Sequence, residues 1–147
     1  MIETKDKDTG LPFTREELID QLGVFFLAGH ETTASALTWV FYILAERPEW
    51  MVRLREELDP VMVDGALSFD DTKKLPLTRA FFKEVLRLYP PITFVPRVAL
   101  ENVKIEGKRL PRGALVMIAP WTLHRHSKYW ENPHAFIPER FLPENEK

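Results

Sequence analysis

Residues 25–37 read FFLAGHETTASAL, placing an imidazole, a carboxylate and two threonines inside a largely apolar run. Burying such groups is costly, so His30, Glu31, Thr32 and Thr33 invite a chemical explanation, either metal ligation or proton handling. A zinc-binding helix needs a second histidine four residues after His30, and that position is Ala34. Paired Glu-x-x-His helices for a di-iron centre are missing too. His30 therefore reads as a packing or hydrogen-bonding residue. Gly29 inside a helix costs about 1 kcal/mol relative to alanine. Small residues such as Ala28 and Gly29 let something approach the backbone closely. A threonine hydroxyl can bond the carbonyl one turn back and bend the helix. Two readings follow: a kinked, small-residue face beside a flat ligand, or tight packing against another helix. The residues alone leave both open.

Three further groups have chemically useful types. Glu84-Val-Leu-Arg87 puts an acid and a base three apart on one helix. Such pairs usually decorate a solvated face, and Arg79, Lys83 and Arg87 form a stripe that favours that reading, although Glu84 shares its face with Phe81 and Leu88. Arg97, after Phe-Val-Pro, opens a predicted strand and could clamp a carboxylate through two bonds. His124-Arg125-His126 reads as a polar loop, since residues two apart do not share a helix face.

The elements that must position these groups are helical first and extended later. Thr14-Arg-Glu-Glu17 is a capping box that predicts a helix over 14–45, apolar on most sides and hence buried. Helices are predicted over 48–60, opened by Pro48, and 77–89, stopped by Pro90-Pro91, with Ser68–Asp71 capping a short helix between them. Short strands are predicted at 97–100, 103–105 and 114–119, then a short helix over 121–125 within a meander spanning 120–147. The fold class is mainly α with a small β-sheet. The chain has 147 residues, no cysteine and a net charge of −2, which excludes disulfides and cysteine nucleophiles and gives no footing for nucleic acid. His30 and Glu31 interrupt the longest apolar stretch and argue against a membrane span.

Four motifs in order narrow the reading: A-G-H-E-T-T at 28–33, E-x-x-R with L-Y-P-P at 84–91, Pro96-Arg97, and W-x-x-P-x-x-F-x-P-E-R-F at 130–141. Together they resemble the cytochrome P-450 superfamily of haem-thiolate monooxygenases. The resemblance spans positions 10 to 143 and implies a partial cytochrome P-450 fold, with 1–147 a single incomplete segment of one domain. It implies that Glu31 and Thr32 are the acid–alcohol pair that delivers protons to dioxygen. It implies that Ala28, Gly29 and Thr32 lie against haem and that Arg97 grips a propionate. Glu84, Arg87 and Arg140 would form a structural charge network. The expected partners are dioxygen, an apolar small-molecule substrate, and a ferredoxin or flavoprotein reductase.

The resemblance also implies a cysteine loop after P-E-R-F, and these residues contain no cysteine to serve as axial ligand. No metal ligand is therefore expected within this chain, which by itself should neither bind haem through thiolate nor oxygenate a substrate. The function expected is a fragment of a monooxygenase that inserts one oxygen atom of dioxygen into an apolar compound. The alternative is a non-catalytic helical binding or scaffold module without haem. A cytoplasmic location is favoured, with an anchor in a preceding N-terminal part compatible with the same residues.

Overall fold

The computed structural model describes residues 5–7 and 9–145; residues 1–4, 8 and 146–147 lie outside the description, so the terminal meander is described only to 145. The chain divides into two compact units, Met1–Ser35 and Ala36–Lys147. It is mainly helical with small antiparallel sheets.

Helix α1 spans Arg15–Glu46, one residue later at each end than predicted. Thr14 starts it as the capping box requires: the Glu17 carboxylate accepts from the Thr14 backbone N–H at 2.8 Å, and the Glu17 N–H donates to Thr14 Oγ1 at 3.3 Å. The prediction of burial holds only in part. Phe25 is 62 % and Phe26 69 % exposed, whereas Ala36 and Ile43 are buried. Within the first unit no other described helix is present to cover those aromatic rings.

The second unit is built around α2 (Pro48–Leu58) and α3 (Pro76–Leu88). Helix α2 stops short of the predicted residue 60 because Pro60 has no N–H; the last bond runs from Asp59 N–H to the Arg55 carbonyl at 2.8 Å. Ser68 and Asp71 cap each other reciprocally and open a 3-10 turn at Asp71–Lys74. Helix α3 has Pro at its first turn and ends where Tyr89 leaves helical geometry ahead of Pro90. Its apolar face supplies Phe81, Val85 and Leu88 to a core completed by Ile43, Trp50 and Phe136. Phe81 and Phe136 meet edge to face at 5.2 Å, and Phe136 meets Trp50 the same way at 5.8 Å.

Two separate two-stranded sheets replace the single small sheet that was predicted. Strand β1 (Val95–Val98) pairs antiparallel with β4 (Leu115–Ile118), placing Arg97 opposite Val116. Arg97 is thus the third residue of its strand, not the first. Pro96 is tolerated because a two-stranded sheet leaves one edge of each strand without a ladder to fill. Strand β2 (Val103–Ile105) pairs with β3 (Lys108–Leu110), which was not predicted. Their two-residue turn, Glu106 at φ 50° and Gly107 at φ 79°, matches the twist of a tight hairpin. Helix α4 (Pro120–Leu123) and a 3-10 turn at Pro138–Phe141 complete the chain.

Candidate active site

In the first unit, α1 carries Glu31 and Thr32. Thr32 Oγ1 donates to the Ala28 carbonyl one turn back at 2.5 Å, the back-bond that relaxes a helix at that turn. Gly29 stands beside that bond, and a Cβ added to it would meet nothing within 4 Å. Glu31 is exposed. His30 stacks on Phe26 at 5.6 Å with the rings 9° from parallel, in keeping with a packing role.

In the second unit, Glu84 and Arg87 are buried, at 0 % and 2 % exposure, contrary to the solvated-face reading of their spacing. Arg87 Nε donates to Glu84 Oε2 at 2.7 Å and Nη2 to Oε1 at 2.8 Å, a bidentate pair. The other guanidinium N–H groups donate to the carbonyls of His124 and Pro133, both at 2.7 Å, and Ala135, at 2.9 Å. All five donors of Arg87 are thus used. Glu84 Oε1 also accepts from the Ile137 backbone N–H at 2.8 Å. Arg140 Nε lies 3.5 Å from Glu84 Oε1, buried and without a hydrogen-bond partner of its own, while its Nη2 donates to the Asn132 carbonyl at 3.1 Å. Helix α3 and the segment 124–141 are therefore joined through one carboxylate and two guanidinium groups.

Arg97 stands apart from this network on β1. It is exposed, and its Nη1 donates to the neighbouring Pro96 carbonyl at 2.8 Å. The rest of its donor fork is open to an anionic partner.

Sequence reasoning missed what holds α3 at its ends. No local side chain caps its N-terminus. The Glu57 carboxylate does so from α2, accepting from the N–H groups of Leu77 at 2.6 Å and Thr78 at 2.8 Å. At the C-terminus the His124 ring Nδ1 donates to the Arg87 carbonyl at 3.1 Å, and the Arg125 guanidinium donates to the Leu88 carbonyl. The sequence signal was a helix opened by Leu75-Pro76 with no Ser, Thr, Asp or Asn at its cap. Burial holds the His124 imidazole below its ordinary pKa; the charges of Arg87 and Arg125 push the same way, and the bond to the Arg87 carbonyl opposes them.

The fold and these motifs define a haem-protein class. The sequence model described as Cytochrome P450 matches residues 1–147, and the chain belongs to that family. It is 38 % identical over 142 residues to Cytochrome P450 4A12 of Rattus norvegicus, covering 95 % of this chain and 28 % of that one. It is 37 % identical over 147 residues to Cyclooctatin synthase of Streptomyces melanosporofaciens, covering 100 % and 32 %. Among solved structures it is similar to the retinoic acid bound cyanobacterial CYP120A1, with TM-score 0.88, 30 % identity, and 97 % and 33 % coverage. A zebra fish cytochrome P450 with progesterone gives TM-score 0.84, 33 % identity, and 90 % and 32 % coverage. The chain thus spans about a third or less of the length of these relatives.

Haem is the cofactor of that family, and the residues here fit part of its surroundings. Arg97, exposed on β1, keeps donors free for a carboxylate. With no cysteine in these residues, a thiolate ligand cannot come from them. Among the described residues no cluster of three or more His, Asp or Glu side chains could hold a metal ion. No described helix is long and apolar enough to cross a membrane.

Proposed function

We propose that the protein carrying these residues is a haem-thiolate monooxygenase that inserts one oxygen atom of dioxygen into an apolar organic substrate, with electrons from a ferredoxin or flavoprotein reductase. Haem, when bound, supplies the dioxygen and electron chemistry. The remaining roles belong to the chain. Ala28 and Gly29 leave room for the flat ring against α1. Arg97 holds a propionate through its free donors. Glu31, exposed, takes up protons from solvent and passes them towards the Thr32 hydroxyl. Because Thr32 Oγ1 donates its own hydrogen to the Ala28 carbonyl, its lone pairs are left to accept from a proton-carrying water and hold it in place. Glu84, Arg87 and Arg140 keep the segment 124–141 fixed against α3.

The observation that carries this reading is the Thr32–Ala28 bond of 2.5 Å, its acceptor one residue before Gly29 in the same turn. It is a hydroxyl oriented by its own helix beside two of the smallest side chains, Ala28 and Gly29. An apolar substrate is supported by the retinoic acid and progesterone named for the two solved relatives. The test is Thr32→Ala in the haem-loaded protein. Without the hydroxyl, protons are misdirected and electrons are lost to peroxide, so the ratio of product formed to electrons consumed should fall severalfold. Equal ratios in variant and parent would contradict the role.

A further inference from the structure

Helix α3 has no local side-chain cap at its N-terminus and is held at both ends by side chains from distant elements. The charges suit the helix dipole, the Glu57 carboxylate at the N-terminus and the Arg125 guanidinium at the C-terminus, where the His124 ring adds an N–H donor. The contact at Arg87 is double. Its Nη1 donates to the His124 carbonyl at 2.7 Å, and the His124 ring Nδ1 donates back to the Arg87 carbonyl at 3.1 Å. A carbonyl only accepts, so Nδ1 carries the hydrogen. The Arg87 guanidinium also lies over the Trp130 ring at 4.9 Å, and the same ring stands edge-on to His124 at 6.3 Å.

We infer that His124 is a positioning residue for Arg87, gripping its backbone carbonyl and its guanidinium together and so aiming that guanidinium at Glu84. A long arginine side chain loses rotamer freedom when it is ordered, and fixing the origin of its stem limits where the guanidinium can go. The bond from Ile137 N–H to Glu84 Oε1 then reports on the aim, because that oxygen is shared with Arg87 Nη2. None of these contacts depends on what the protein oxidises.

Residue-resolved amide hydrogen exchange on the haem-loaded protein tests the inference, with His124→Asn, His124→Gln and His124→Leu compared to the parent. Asparagine Nδ2 falls where the imidazole Nδ1 stands, glutamine places its amide nearer Nε2, and leucine has no donor. The expected result is that Gln and Leu speed exchange at Ile137 about tenfold, the scale of one net hydrogen bond. The Phe81 amide in the middle of α3 should keep its parental rate, and Asn should restore the parental rate at Ile137. Should the leucine variant fail to fold, the Asn and Gln variants decide between themselves. Equal rates at Ile137 in Asn and Gln would overturn the inference. So would acceleration of Ile137 and Phe81 by the same factor, which marks a general loss of packing.

Discussion

Glu84 and Arg87 face each other through two parallel hydrogen bonds, 2.7 and 2.8 Å long, with both side chains sealed from water. A buried carboxylate and guanidinium cost free energy to desolvate, and here both Glu84 oxygens and all five Arg87 donors have partners. Removing one partner leaves the other charged and unpaired at about 3–5 kcal/mol, much of a domain's margin. Glu84→Ala should therefore give little soluble haem-loaded protein. A surface pair would change stability by less than about 1 kcal/mol. Parental yield and melting temperature in the variant would contradict the buried network.

Arg97→Leu addresses a different part of the site. An arginine clamped on a carboxylate contributes about 1.5–3 kcal/mol as a charged hydrogen bond. Haem loss to an apo-acceptor should then be at least tenfold faster, with the chain still folded because Arg97 is exposed and its bond among the described residues is to the neighbouring Pro96 carbonyl. An unchanged rate would leave Arg97 as an edge-strand charge.

His124 predicts a pH dependence of stability. Its folded pKa lies below the ordinary 6.5, chiefly through burial. Above that pH the ring is neutral in both states and contributes no slope. As pH falls through 6.5 the unfolded chain takes up a proton that the folded ring resists, so stability declines until the folded pKa is passed. The charged groups beside the ring are Arg87 and Arg125, with Lys83 lining the same cavity, all of the sign that opposes protonation. His124→Asn should flatten this part of the curve in denaturant titrations run across that range. An identical acid slope in the variant would assign the effect to other groups.

The sequence revealed most where the cause was local. The capping boxes at Thr14–Glu17 and Ser68–Asp71 lie within four residues, and both form as read. Pro48 and Pro90 bound their helices for reasons carried by the proline itself, whereas Pro60 was read into its helix, which ends two residues earlier. What spacing could not reveal was the burial of Glu84 and Arg87. An acid and a base three apart look alike on a solvated face and in a core. The difference lies in partners 37 to 53 residues away: the carbonyls of His124, Pro133 and Ala135 and the amide of Ile137. The motif order suggested the network where periodicity pointed to the surface. Glu57 was invisible for the same reason, since the N–H groups it caps lie 20 and 21 residues on. Strand β3 was missed because Lys108-Arg109-Leu110 carries two charges and no alternation.

The most direct test of the monooxygenase reading follows the oxygen atoms. The haem-loaded protein, supplied with a redox partner and an apolar substrate that it turns over, is incubated under isotopically labelled dioxygen. The account predicts one labelled atom in each product molecule and the other in water. Product formed without label from dioxygen would contradict it.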